Sequence, residues 1–104
     1  MKYELVFATS LWTRLTGLLL RARCPNKEVL LLAPCKGIHS FGMRISLDVA
    51  FLSENGEVLA SERNLSPGQI RSNSKAVAVL ERRSSPHDSW PEIGSRINLH
   101  SETK

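Results

Sequence analysis

Asp48-Val49-Ala50-Phe51-Leu52-Ser53-Glu54 and Glu57-Val58-Leu59-Ala60-Ser61-Glu62 stand on either side of Asn55-Gly56. Two β-prone runs around Asn-Gly predict a hairpin, because this dipeptide tolerates the positive φ angles of a two-residue type I′ turn. That turn would pair Leu52 with Leu59 on one face and Phe51 with Ala60 on the other. Both faces would be partly apolar, which suggests an interior hairpin rather than one at a sheet edge.

Outward from the hairpin, Val29-Leu30-Leu31-Leu32-Ala33 and Ala76-Val77-Ala78-Val79-Leu80-Glu81 read as strands buried on both faces. Tyr3, Leu5 and Phe7 alternate with Lys2, Glu4 and Val6, the period-two pattern of another strand. Ser10 can cap a helix that carries Leu11, Leu15, Leu18 and Leu19 on one side and stops at Cys24-Pro25-Asn26. Asn64 to Ser74, with Pro67-Gly68, Asn73 and three serines, reads as a loop. Arg82 to Glu92 is polar and holds Pro86 and Pro91, and a short last strand is expected from Arg96 to Leu99. Trp12 and Trp90 read as packing anchors. The expected fold is mainly β: a small sandwich or barrel of five or more strands, with one N-terminal helix packed on it.

The chain has 104 residues, 41% hydrophobic and 23% charged, which suits a globular protein rather than a disordered one. A single domain over residues 1–104 is expected, with its core at about 3–99 and a flexible tail at 100–104. The net charge is +4, which permits an anionic partner without requiring one. The nine arginines are scattered, only Arg82 and Arg83 are adjacent, and no aromatic residues interleave with them. That argues against a nucleic-acid partner. Nothing approaches the roughly 20 apolar residues of a membrane span, and glycine-rich phosphate loops are missing. Cys24 and Cys35 are too few for a disulfide scaffold. With no apolar core of about 7–15 residues near Met1, a cytoplasmic setting is expected.

Between Cys35 and Asp48 the chain reads Cys-Lys-Gly-Ile-His-Ser-Phe-Gly-Met-Arg-Ile-Ser-Leu-Asp. Thiol, imidazole, hydroxyl, guanidinium and carboxylate are concentrated here, and Gly37 and Gly42 permit sharp turns. Cys35 with His39 has the composition of a nucleophile and its base. One Cys-x3-His is half a zinc site, and no second motif completes it even with Met43 or Cys24. No metal or cofactor is expected. Asp48 is expected to fix the His39–Arg44 loop or to pair with Arg44. Glu81 shares a face with Val77 and Val79 if the strand stays regular, and an unpaired carboxylate there is costly. It should have a partner in His39, Arg44 or a neighbouring arginine. A pocket shared by Glu81 and His39 is one possibility, which placement on opposite sheets would end; purely structural pairing is the weightier alternative.

Ile38-His39-Ser40-Phe41-Gly42-Met43-Arg44, then Leu47-Asp48-Val49-Ala50-Phe51-Leu52 and Asn55-Gly56-Glu57-Val58, resembles the domain of unknown function 192 family. Ala8-Thr9, Gly17-Leu18, Val79-Leu80-Glu81 and Gly94 extend the likeness over roughly Ala8 to Leu99. Ser40 fits a bacterial subgroup with an Ile-His-Ser/Thr motif, in which threonine is usual. Ser46 replaces a common proline, Arg82 and Arg83 stand where the family continues apolar, and Ser95 where aspartate is usual. The resemblance implies a jelly-roll-like sandwich and no established activity.

The best reading is a non-catalytic module that binds a small ligand or a protein partner, as a monomer or weak dimer. His39, Ser40, Arg44, Asp48 and Glu81 would form its site, with Cys35 in support. The alternatives are a small hydrolase or transferase using Cys35 and His39, and a weak nucleic-acid accessory protein.

Overall fold

Strands that are apolar on both sides leave water only in the middle of a layered sheet. The computed structural model, which describes residues 4–7, 29–34, 36–39 and 45–98, places such strands there. Seven strands follow in chain order: β1 (Glu4–Phe7), β2 (Leu30–Ala33), β3 (Gly37–His39), β4 (Leu47–Leu52), β5 (Val58–Leu65), β6 (Ile70–Ser72) and β7 (Ala78–Arg83). One sheet runs β1-β2-β7-β4-β5 and a second pairs β3 with β6. From β2 to β5 all neighbours are antiparallel, while β1 lies parallel to β2. The fold is mainly β, with no helix among the described residues. The helix expected after Ser10 lies outside them.

Each face of the large sheet has its own core. On one, Leu30, Leu32, Leu47, Val49, Phe51, Leu65 and Val79 pack together with Ile38 from β3. On the other, Leu31, Ala50, Leu52, Val58, Ala78 and Leu80 are covered by Trp90 and Ile97 of the C-terminal segment. Burying one such leucine stabilises by roughly 1.5–3 kcal/mol. The small sheet is tied across the first face by Arg71 of β6, whose Nε and Nη2 donate to Glu62 of β5 at 2.8 and 3.2 Å.

The hairpin is where expected, but its turn differs. Gly56 has φ 82°, and Asn64 is the sole non-glycine residue with positive φ among the described residues, so Asn55 does not adopt the type I′ geometry. Gly56 N donates to Ser53 O at 2.9 Å and Ser53 N to Glu57 O at 2.9 Å, a three-residue loop closed by a left-handed glycine. Ser53 Oγ accepts from the amides of Asn55 and Glu57, which holds the longer turn. The extra residue shifts the register: Phe51 pairs with Ala60 as expected, but Leu52 pairs with Val58 rather than Leu59. β4 is interior, yet β5 is an edge strand, so only half of the hairpin is enclosed.

Two further expectations need correction. The Asn64–Ser74 loop contains β6, whose three residues show no alternation of their own and are defined by pairing with β3. The last strand shrinks to a single bridge between Glu57 and Arg96. β7 also runs two residues further than read, through Arg82 and Arg83.

Candidate functional site

Alternation along β7 sends Val79, Glu81 and Arg83 to the face packed by Ile38, and Ala78, Leu80 and Arg82 to the other. Glu81 is flanked in register by Leu30 of β2 and Val49 of β4, both core residues. It is fully buried, and neither carboxyl oxygen has a hydrogen-bond partner among the described residues. Burial pushes its acid from an ordinary value of 4.5 up to about 8. At neutral pH Glu81 therefore keeps its proton, a neutral acid with an unmet donor on an apolar wall. Two residues on, partly exposed Arg83 shares this face, and its buried Nε is also without a partner among the described residues. Among the described residues, the partner expected for Glu81 from a neighbouring arginine is not found.

Asp48 is equally buried but richly bonded. It is opposite Arg82 in register, one step from the Val49–Glu81 pair, and so on the other face of the sheet. Its Oδ2 accepts from Arg82 Nε at 2.9 Å and from Ser85 N at 3.2 Å, and its Oδ1 from Asn64 N at 3.0 Å. Asn64 has φ 59°, where the strand bulges: two residues, Arg63 and Asn64, oppose the one Asp48. Arg63 approaches the same carboxylate at 3.7 Å and donates to Ser85 O and Asp88 O. Burial works to raise the Asp48 acid, but the donors of Asn64, Arg82, Ser85 and Ser84 together hold it below the usual carboxylate range. Arg82 lies 4.6 Å over the Trp90 ring, whose Nε1 donates to Val49 O at 3.0 Å.

Asp48 is thus the hub that fixes the bulge of β5 and the 84–88 segment. Its described partners all lie outside the His39–Arg44 loop that it was expected to fix. Asp48 and Glu81 were expected to support one site, and the sheet puts them on opposite faces because their register differs by one position. His39 belongs to β3 in the small sheet and Glu81 to β7 in the large one, and the β3 residue in the core beneath is Ile38. A pocket shared by His39 and Glu81 is therefore not carried forward. Cys24, Cys35 and residues 40–44, with Ser40 and Arg44, lie outside the described residues.

Arg82 and Arg83 are the residues the sequence reading undervalued. Alternation from Glu81 puts Arg83 on its face, and that much was readable; the pairing of Arg82 with Asp48 needed the register. Among the described residues no three His, Cys, Asp or Glu side chains group as a metal site. A groove of about 320 Å³ is lined by Arg63, Asn64, Ser84 and Pro86, beside the Asp48 hub, and another of about 480 Å³ by Leu59, Asn73, Ser74 and Lys75. Neither contains a residue expected to form the site.

Comparison with solved structures finds a protein of unknown function from Novosphingobium aromaticivorans DSM 12444, at a TM-score of 0.61 and 22% identity. The match covers 77% of this chain and 61% of that one, so the chain spans less than two thirds of that protein's length. At this identity the likeness speaks for the fold alone. No curated protein matches the chain. The model of the family described as "Uncharacterized ACR", DUF192, matches residues 1–97. With nearly the whole length matched, the chain belongs to the DUF192 family.

Proposed function

We propose that this domain binds a small ligand without transforming it, and that Glu81 is the polar anchor of the site. The observation that carries the reading is the unpartnered carboxyl in an apolar sheet face. A buried acid without a hydrogen bond costs a fold roughly 1–3 kcal/mol, and a ligand that supplies the missing acceptor offsets that cost. β3 packs over the same face, and Ile45, at the other end of the segment that follows it, joins the same core. Ser40 and Arg44, between these two points in the sequence, are the candidates for outer contacts. Asp48 holds the scaffold in this reading, and Cys35 and His39 have no assigned step. The proposal takes the two sheets as a jelly-roll-like sandwich and the chain as a member of the subgroup with Ile38-His39-Ser40.

The test is a small-molecule fragment screen on isotope-labelled protein. Hits are expected to shift the amide signals of residues 79–83 and to be lost in Glu81→Met. Hits that bind elsewhere, or that ignore this substitution, would remove the reading.

A further inference from the structure

Glu81 and Arg83 carry the two buried polar groups that lack a partner among the described residues, and both are on one face of one strand. Alternate residues of a strand are about 6.6 Å apart, so one small head group can reach both side chains. Glu81 Oε1 and Oε2 and Arg83 Nε make no hydrogen bond to each other. Arg83 is partly exposed and Glu81 is not, so Arg83 lies nearer the surface. Around them the wall is Leu30, Leu47, Val49 and Val79.

We propose that Glu81 and Arg83 together take the head group of an apolar monocarboxylate, Glu81 donating its O–H to one oxygen and Arg83 its Nε–H to the other. The inference rests on the ligand-binding reading above and names its ligand class. One guanidinium beside one neutral acid leaves a single positive charge, which a monoanion balances. An amine would meet Arg83 as a like charge, and an alcohol would leave one of the two donors idle. A phosphate would bring more acceptor oxygens than these two donors can satisfy. The apolar wall suits an alkyl body rather than a second charge.

Protonation of Glu81 is part of the arrangement. Among the described residues, the other charged groups on this face are Arg83, permanently cationic, and Glu62, held by Arg71 of β6; β3 carries His39. Raising pH ionises Glu81 and sets it against a bound carboxylate.

The experiment titrates the full chain with hexanoate, hexanol and hexylamine, following amide signals and melting temperature at pH 6 and pH 9. Hexanoate is expected to bind at pH 6, about tenfold or more weaker in Glu81→Met and in Arg83→Met. Glu81→Gln, whose amide donates at any pH, is expected to keep binding at pH 9, where the unsubstituted chain loses it. Hexanoate binding that is indifferent to Glu81→Met overturns the inference, and so does no binding of hexanoate at all. If hexanol or hexylamine binds through Glu81 and hexanoate does not, the carboxylate class falls while the ligand-binding reading stands.

Discussion

Asp48 and Glu81 are both at 0% exposure, yet their acids are displaced in opposite directions. Burial works to raise both, and the number of donors decides the outcome. For Glu81, the folded acid titrates higher than the unfolded one, so the folded state binds the extra proton. Its contribution is fully present below about pH 4.5 and is lost as pH rises toward 8, roughly 3 kcal/mol by pH 7. Replacing Glu81 by Met removes an unmet acid from an apolar face. Thermal unfolding at pH 7 should then show stabilisation by about 1–3 kcal/mol, each kcal/mol raising the midpoint by roughly 4–8 °C. The decline between pH 5 and 8 should flatten, and a lower melting point for Glu81→Met at pH 7 would contradict this account. Asp48 has the reverse sign: its folded acid is lowered, so its stabilisation is present above about pH 4 and is lost on acidification. Asp48→Asn leaves the Arg82 guanidinium buried without its counter-charge, which costs about 3–5 kcal/mol. Urea unfolding at pH 7 should show that loss, and the acid-limb difference from the parent should shrink below pH 4.

At the scale of the element, the hairpin shows what a local pattern can and cannot specify. Asn55-Gly56 placed the turn correctly, because a glycine that accepts positive φ is needed there. The loop length was not legible, since Ser53 Oγ stabilises three residues where the dipeptide alone suggests two. The distinction is measurable. A two-residue type I′ turn needs left-handed geometry at both positions, whereas here only Gly56 adopts it. Gly56→Ala should therefore cost about 1–2 kcal/mol in urea unfolding, and Asn55→Ala within about 0.5. Equal losses at the two positions would restore the two-residue turn. β6 was illegible for a related reason: Ile70-Arg71-Ser72 has no periodicity, and Ile70 is 62% exposed. Pairing with β3, 31 residues earlier at His39↔Ile70 and more elsewhere, makes it a strand only in the folded chain.

Across the whole molecule, the central strands were legible because their apolar runs are long enough to demand burial on both sides. Glu81 could be singled out in the same way, as a carboxylate in such a run. The division of the candidate site could not, because it depends on register. Whether Asp48 meets Arg82 or Glu81 turns on a one-residue slip between strands whose residues are 34 apart at that pair. The resulting architecture covers one sheet from two sides by separate means. Trp90 and Ile97 close the Asp48 face, while Ile38 and the Arg71–Glu62 tie close the Glu81 face. These covers share the sheet but no side-chain contact among those described, so they should open independently. Trp90→Ala removes a buried ring together with its bond to Val49 O and its stack on Arg82, a loss of about 3–5 kcal/mol. Ile38→Ala should cost about 2–5 kcal/mol. Hydrogen exchange should show faster opening of amides at 92–97 in the first variant and at 37–39 and 70–72 in the second. With the two sites on opposite faces, the double variant should lose the sum of the single losses to within about 0.5 kcal/mol. A larger deviation would mean that the two covers form one cooperative unit, and that a ligand held at Glu81 would be felt at the Asp48 hub.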